Sequence, residues 1–244
     1  MITTKAPLIS RMLYASWRAF LADLPRPPLG WVLGIVALTN IGLALYIDRA
    51  TALFMKDAMV GPWRQFFELV TMVGDPTPWI LGLLLAIIIC FLSARREMNQ
   101  ARRMRLLLHA RNCWFVILSC LVSGAIHHII KVLVGRYRPR YLFTEDLFGF
   151  SPMSLEIARN SFPSGHTQTI VSICFSLFLV YPRLAGIYLV IAAVVALSRI
   201  TLVAHYPSDV FFGAYLGITT AILLKRHYLD SHVTTELNVT ESGR

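Results

Sequence analysis

Six apolar runs, most of them about as long as a membrane-crossing helix, constrain the fold of this chain more than any other feature. A transmembrane helix needs about 20 predominantly apolar residues. Charged residues make up only 15% of the chain, whereas soluble domains carry about a quarter. We therefore predict an all-α, polytopic membrane protein, a six-helix transmembrane bundle. The predicted spans lie at about 29–47, 78–94, 113–135, 166–181, 184–203 and 207–224.

The distribution of Lys and Arg predicts the orientation of the bundle, because cytoplasmic loops carry an excess of both. With both termini in the cytoplasm, the inner segments hold 14 basic and five acidic residues. The outer loops and the spans then hold nine basic and eight acidic residues. We expect cytoplasmic N- and C-termini, with a six-span domain at 29–225 between an N-terminal segment, 1–28, and a tail, 226–244.

Two long outer segments, 48–77 and 136–165, are expected to cap the bundle. In the first, Phe66, Phe67 and Val70 recur at helical spacing, which suits a helix lying in the membrane interface. The second is about 30 residues long, and loops of that length in compact proteins are usually functional or disordered. Its many aromatic residues favour order, so we predict an interfacial helical cap on the outer side.

Net charge and cysteine content argue against some classes of function but do not identify a binding partner. The net charge of +10 is compatible with nucleic-acid binding, but no basic stretch is interleaved with exposed aromatic residues. We therefore expect no nucleic-acid partner. The four cysteines lie in or beside apolar runs without metal-ligand spacing, as buried thiols do. The oligomeric state is left open by the sequence.

Basic residues toward the outer face predict an anion pocket. Charged side chains in or beside a membrane helix are costly and indicate a function. Lys131, Arg138 and Arg199 oppose the single nearby carboxylate of Asp209, which favours a compact anion. Arginine matches phosphate oxygens in pairs, and lysine acts as a point charge. His127, one turn before Lys131, is expected to pack, within reach of the pocket.

The tetrapeptide PSGH at 163–166, which opens the fourth span, predicts a phosphate cradle. A glycine just ahead of a helix lets backbone N–H groups approach an oxyanion closely. The helix N-terminus itself favours negative charge. Ser164 and Gly165 would therefore hold phosphate, with His166 beside it.

Two histidines predict a reaction at this pocket. His205 and Asp209 are four residues apart, with Pro207 suited to the first turn of the sixth helix. Asp209 would accept the proton on one ring nitrogen of His205, leaving the other nitrogen to attack phosphorus. Protonated His166 would give its proton to the departing alcohol oxygen, and water would then cleave the phosphohistidine.

Three stretches together carry a family signature, KVLVGRYRP at 131–139, PSGH at 163–166 and SRITLVAHYPSD at 198–209. They match KxxxxxxRP, PSGH and SRxxxxxHxxxD in order, and the chain resembles the type 2 phosphatidic acid phosphatase family. The resemblance implies metal-independent phosphate ester hydrolysis without a cofactor, with His205 as nucleophile, Asp209 as its orienting partner and His166 as general acid. The phosphate pocket implied by the resemblance comprises Lys131, Arg138, Ser164, Gly165 and Arg199.

The resemblance also indicates a substrate class and a location. Six spans with a pocket at one face favour a lipid substrate whose phosphate lies at headgroup depth. A small chain of this topology fits the bacterial inner membrane, with the site and its cap facing the periplasm. Bacterial members of this type act on phosphatidylglycerophosphate, undecaprenyl pyrophosphate, phosphatidic acid or lipid A 1-phosphate. The GRYRPR segment at 135–140 most resembles the lipid A 1-phosphatases and their phosphatidylglycerophosphate phosphatase relatives.

Three other functions compete with hydrolysis. A metal-dependent phosphatase would use Glu145, Asp146 and Asp209 with the histidines, although basic residues occupy the charge-compensating positions. A non-enzymatic anion carrier would place its site near the bilayer midplane between repeats, whereas this cluster lies toward one face. A lipid phosphotransferase would use the same site, with a second lipid in place of water, and the sequence does not separate it from hydrolysis.

Overall fold

The computed structural model describes residues 29–156 and 159–230, and these residues form helices without a β-strand. The predicted segment 1–28 and residues 231–244 of the tail lie outside the described residues. The α-helices are α1 Leu29–Gly42, α2 Asp48–Ala58, α3 Gly61–Met72, α4 Pro76–Arg96, α5 Gln100–Val134, α6 Pro139–Thr144, α7 Gly165–Val180, α8 Ala185–Thr201 and α9 Pro207–Leu224. Two π-helical segments, Leu43–Ile47 and Lys225–Asp230, and a 3-10 turn, Pro182–Leu184, complete the helical structure described.

Five helical stretches are long and apolar enough to cross a membrane. They are Trp31–Ala58, Gly61–Arg96, Gln100–Val134, Pro182–Thr201 and Pro207–Leu229. The predicted fourth span corresponds to α7, which is apolar but has 16 residues and is shorter than the usual span. The prediction of an all-α, multi-pass membrane protein is confirmed, while the count of six spans stays a prediction.

The first helical stretch continues past the predicted boundary at 47. The π-helical segment Leu43–Ile47 joins α1 to α2, so the first part of the predicted outer segment continues the first span. Charged residues in α2 end the apolar run without ending the helix, which explains the difference. The predicted helix around Phe66 is present as α3.

The helix α5 is also longer than the apolar run that predicted it. It begins at Gln100 rather than near 113, because the Asn99 side chain accepts hydrogen bonds from the backbone N–H groups of Ala101 and Arg102. It ends at Val134, and Gly135, which follows as the C-cap residue, has φ 57°. A Cβ atom there would lie 1.8 Å from the carbonyl oxygen of Ser151, so only glycine fits.

The helix α7 lies at the centre of the bundle and contacts α5, α8 and α9. Two glycines of α9 allow close approach, as small residues four apart often do between membrane helices. A Cβ atom at Gly213 would lie 2.7 Å from the Ser164 carbonyl oxygen, and one at Gly217 would lie 2.8 Å from the Ser172 nitrogen. The start of α7 is therefore held against the first turns of α9.

The predicted cap segment 136–165 is folded in the part that the structure describes, 136–156 and 159–165. It contains α6 and two isolated β-bridges, Arg136 with Phe150 and Tyr137 with Asn160. Leu142 of α6 joins a buried cluster with Ala52 of α2 and Tyr206. This cluster ties the cap to the first span and to the turn between α8 and α9.

Candidate active site

The PSGH segment is held on two sides where α7 begins. Ser164 is the N-cap residue of α7, and its backbone nitrogen donates to the carbonyl oxygen of Asp209 at 3.0 Å. His127, a buried residue of α5, has its Nε2 atom 3.0 Å from the carbonyl oxygen of Pro163. A Cβ atom at Gly165 would lie 3.2 Å from the His127 ring. His127 therefore packs, as predicted, against the segment predicted to hold phosphate.

The three predicted cations come from different elements and converge on this helix end. Lys131 is 4% exposed and Arg199 is 9% exposed. The Asn160 side chain donates to the Lys131 carbonyl oxygen at 3.1 Å, and Arg138 Nε donates to the Asn160 carbonyl oxygen at 3.3 Å. Asn160, which the sequence analysis missed, thereby connects two of the cations. The charges of Lys131, Arg138 and Arg199 lie within electrostatic reach of one another.

The protein supplies hydrogen-bond acceptors for only part of the Arg199 guanidinium. One terminal nitrogen, Nη1, donates to Thr71 Oγ1 at 2.5 Å. The Nε atom is buried and has no hydrogen-bond acceptor among the described residues. A buried unpaired donor on a charged group is costly, so an acceptor is expected there.

The end of α3 and the turn after it form one wall of the site. Thr71 of α3 binds Arg199, and Gly74 packs against His166 in the first turn of α7. A Cβ atom at Gly74 would lie 3.0 Å from His166 Cδ2. Neither Thr71 nor Gly74 carries a sequence signal of its own, because their roles arise from packing between distant elements.

The structure places His205 and Asp209 together with a third residue, Ser161, between them. The Nδ1 atom of His205 is 3.6 Å from Asp209 Oδ2, longer than a hydrogen bond. Ser161 Oγ lies 3.3 Å from this Nδ1 and donates to Asp209 Oδ2 at 2.5 Å. Asp209 Oδ2 also accepts from the Tyr206 backbone N–H at 2.9 Å. The Ser161 hydroxyl thus links the imidazole to the carboxylate, beside the direct approach of His205 Nδ1 to Asp209 Oδ2.

The turn between α8 and α9 sets the position of His205. The backbone N–H groups of Ala204 and His205 both donate to the Arg199 carbonyl oxygen at 3.1 Å, which folds the turn back onto α8. His205 is 4% exposed. Burial is the largest influence on its pKa and lowers it to about 3, with Asp209 acting in the opposite direction. The imidazole is therefore neutral near pH 7 and keeps a lone pair on one nitrogen.

The lowered pKa of His205 predicts a pH-dependent loss of stability. The unfolded chain binds a proton at His205 below the ordinary pKa of 6.5, whereas the folded protein does not until the pH nears 3. Stability from this residue is therefore lost as the pH falls from about 6.5 toward 3. In detergent, the unfolding midpoint of the wild type should drop more between pH 7 and pH 4 than that of His205→Gln. Parallel curves for the two proteins would contradict the expectation.

Arg136 is a further residue that the sequence analysis left without a role. Its side chain is 3% exposed, and Nη1 donates to Asp209 Oδ1 at 2.8 Å and to Ser208 Oγ at 2.6 Å. Burial lowers the pKa of Arg136, but Asp209 and Asp48 outweigh that effect and raise it above its ordinary value. Asp209 is thus anchored through one oxygen to Arg136 and through the other to Ser161.

The carboxylates that a metal-dependent phosphatase would need are not grouped at this site. Glu145 pairs with Arg159, with 3.5 Å between their charged atoms. Within residues 29–156 and 159–230, no three His, Cys, Asp or Glu side chains are clustered so as to hold a metal ion. The groups brought together here are cations, two imidazoles and one anchored carboxylate.

Apolar helices that surround a cluster of buried cations define a polytopic membrane protein. Residues 112–232, which contain every predicted site residue, match the model of the PAP2 superfamily. The chain belongs to this superfamily, that of the type 2 phosphatidic acid phosphatases. The family resemblance predicted from the three sequence motifs is thereby confirmed.

Relatives over most of the chain are similar in sequence or in fold. The lipid A 1-phosphatase of Rhizobium johnstonii is 27% identical in an alignment of 231 residues that covers 86% of this chain and 91% of that protein. The PAP2-type phosphatidylglycerolphosphate phosphatase of Bacillus subtilis superposes with a TM-score of 0.55 at 21% identity, covering 79% of this chain and 93% of that one. LpxE of Aquifex aeolicus gives 0.53 at 19% identity, covering 75% and 96%. Both structures support the fold.

Proposed function

We propose that this protein is a membrane phosphatase that hydrolyses the phosphate of a lipid headgroup through a phosphohistidine on His205. The observation that carries the proposal is the buried Arg199 Nε, which has no acceptor among the described residues. It lies in a pocket that also contains Lys131 and Arg138 and the N-terminus of α7. A phosphate group supplies the acceptor oxygens and the negative charge that this pocket lacks.

The reaction begins with attack of His205 Nε2 on phosphorus. The Nδ1–H group donates a hydrogen bond to Ser161 Oγ, and the Ser161 hydroxyl donates one to Asp209 Oδ2, so the ring is held in one tautomer. As the Nε2–P bond forms, the bond from phosphorus to the lipid oxygen breaks. His166, protonated when the bound phosphate offsets the cations around it, gives its proton to that oxygen.

The second step releases phosphate and restores the enzyme. Water attacks the phosphohistidine, His166 takes up a proton from it, and the P–N bond breaks. Lys131, Arg138 and Arg199 balance the charge of the phosphoryl group in both steps, while Ser164 and Gly165 present the α7 N-terminus to its oxygens. The donor set is basic rather than acidic, which supports a reaction without a metal or another cofactor.

We propose that six spans cross a bacterial inner membrane and that the site faces the periplasm. The span domain is 29–225, with cytoplasmic segments 1–28 and 226–244 on either side. The proposal is supported by the excess of Lys and Arg on one side of the bundle. The short helix α7 contacts α5, α8 and α9. Because other helices surround it, a helix of 16 residues can serve as the fourth of the six proposed spans.

Lipid A 1-phosphate and phosphatidylglycerophosphate are the proposed substrates. The relative from Rhizobium johnstonii, named a lipid A 1-phosphatase, matches over 91% of its length, which supports the first. Undecaprenyl pyrophosphate and phosphatidic acid are the alternative substrates. A lipid phosphotransferase remains the alternative reaction, because a second lipid would attack the same phosphohistidine in place of water.

Phosphate release from a panel of lipids tests this function. The detergent-purified protein is incubated with lipid A, phosphatidylglycerophosphate, phosphatidic acid and undecaprenyl pyrophosphate, each with and without excess EDTA. Release from one lipid at an unchanged rate in EDTA is the expected result. Loss of activity in EDTA that added divalent metal restores would contradict the metal-independent reaction.

The same panel separates the competing functions. Disappearance of the phosphorylated lipid without release of inorganic phosphate, with a second lipid becoming phosphorylated, would establish phosphotransfer. No change in any lipid would contradict the phosphatase and favour the anion carrier, for which phosphate uptake into proteoliposomes is the direct measurement.

A further inference from the structure

A buried charged network connects the first span to the proposed catalytic carboxylate. Arg136 binds Asp209 through Nη1 at 2.8 Å and Asp48 through Nη2 at 2.7 Å. Asp48 and Asp209 are both 0% exposed, and Arg136 is 3% exposed. One guanidinium is thus shared between two carboxylates in the interior of the protein.

Three hydrogen-bond donors hold the Asp48 carboxylate in place. Its Oδ1 atom accepts from the Ser208 backbone N–H at 3.0 Å. Its Oδ2 atom accepts from Arg136 and from the Ser208 hydroxyl. Because Ser208 precedes Asp209 in the first turn of α9, Asp48 contacts both the arginine and the backbone that position the catalytic carboxylate.

The backbone of the first span is shaped to bring Asp48 to this place. The π-helical segment Leu43–Ile47 ends directly before it, and such segments inside helices are frequent at functional sites. About two turns before Asp48 in the same helical stretch, Asn40 donates to the Ser208 carbonyl oxygen at 3.2 Å. Both residues lie outside the region 112–232 that matches the family model. The motifs of the family therefore do not account for Asp48.

The charges of the network bear on the proposed reaction. Asp209 lies behind His205, beside Ser161, and shares Arg136 with Asp48, so the guanidinium only partly offsets the negative charge of Asp209. When Nε2 attacks phosphorus, the imidazole becomes positively charged, and that negative charge stabilises it. Without Asp48, Arg136 would pair with Asp209 alone and would offset its carboxylate charge.

We propose that Asp48 is a positioning residue for catalysis, which holds Arg136 and the start of α9 so that Asp209 keeps its charge and orientation toward His205. The inference rests on the proposed phosphohistidine function and adds to it a residue of the first span. Asp48 touches neither His205 nor the phosphate pocket in the contacts described, so its effect is exerted through Arg136, Ser208 and Asp209.

The test compares Asp48→Asn with Asp57→Asn, which removes the same charge from an exposed position of the same helix. Steady-state kinetics are measured on the lipid that the wild type hydrolyses, with elution from size exclusion as the measure of folding. For Asp48→Asn we expect kcat to fall by roughly 10- to 100-fold, the range known for mutation of the groups that hydrogen-bond metal-bound imidazoles. The KM should stay within about twofold, since the phosphate pocket is unchanged. Asp57→Asn should behave as the wild type.

Vanadate inhibition adds a readout that a purely structural role would not change. Vanadate mimics the pentacoordinate phosphorus bound to the histidine. In Asp48→Asn the affinity for vanadate should therefore fall by the same factor as kcat, whereas the affinity for inorganic phosphate should not change. An unchanged kcat in folded Asp48→Asn, a loss expressed in KM alone, or an equal loss in Asp57→Asn would each overturn the inference.

A second variant keeps the inference testable should Asp48→Asn not fold. Ser208→Ala retains all three charges but removes the hydroxyl shared by Asp48 and Arg136. We expect a lower kcat at unchanged KM in this variant as well. Wild-type kcat in folded Ser208→Ala, together with an unfolded Asp48→Asn, would make Asp48 structural only. A wild type without activity on any lipid would overturn the proposed function itself and this inference with it, whereas an active wild type isolates the effect of Asp48.

Discussion

His205→Ala is expected to abolish phosphate release from the lipid substrate, lowering kcat by a factor of roughly 10⁴ or more. The imidazole supplies the attacking nitrogen, and no other group held by Asp209 and Ser161 could replace it. His205 contributes a buried ring at a turn rather than a helix-packing side chain. The variant should therefore still insert in the membrane and elute as a folded protein.

The measurement for His205 has a matched control and a chemical readout. His109→Ala alters an exposed histidine at the opposite end of α5 from the site and should keep wild-type kinetics. Rapid quenching of the wild type with ³²P-labelled lipid should yield an acid-labile, alkali-stable labelled protein, which His205→Ala should not form. Wild-type turnover in His205→Ala would remove the nucleophile assignment altogether.

Arg199→Lys is expected to lower kcat by roughly 10²-fold or more, comparable to removing one donor from an oxyanion hole. Arg199 uses Nη1 to bind Thr71 of α3, and its buried Nε is left for a ligand oxygen. A lysine places one compact ammonium there, which cannot bind Thr71 and two phosphate oxygens in a plane. The substitution keeps the positive charge but removes the planar arrangement of hydrogen-bond donors.

The control for Arg199 is the same substitution at Arg64 of α3. Arg64 is about half exposed and pairs with Glu68 one turn away at 3.0 Å, an interaction of little energetic consequence. Arg64→Lys should leave kcat and KM at their wild-type values. Near-normal kinetics in Arg199→Lys would mean that Arg199 only extends its charge toward the membrane surface and does not bind phosphate.

The predicted site residues came from three short motifs, and the structure brings the motifs together. Ser164 of the second motif donates its backbone N–H to Asp209 of the third, and Asn160 connects Lys131 to Arg138 within the first. Spacing along the chain was informative here because each motif lies at a helix end, where the geometry is local. Asn160 and Ser161 lie just before PSGH, separated from it by Phe162, and their polarity next to a span was an available signal.

Other residues at or near the site had no usable signal in the sequence, or a misleading one. Asp48 was assigned to an outer segment because the apolar run ends before it, although a charge beside a membrane helix is itself a sign of function. Thr71 and Gly74 contact Arg199 and His166 from α3 and the turn after it, far away along the chain. A hydroxyl or a glycine in such a segment is common, so only its neighbours in space reveal a role.

The sequence by itself determined that this chain is a helical membrane protein and which residues make up the proposed phosphate site. Long apolar runs leave helices as the one way to satisfy backbone hydrogen bonds in lipid, and the motif residues cluster at the ends of those runs. The tertiary structure alone decided how the charges are compensated. Arg136 lies between Asp48 and Asp209, and Ser161 lies between Asp209 and His205. Pairing of buried charges depends on which helices pack together, and no local pattern of residues encodes that choice.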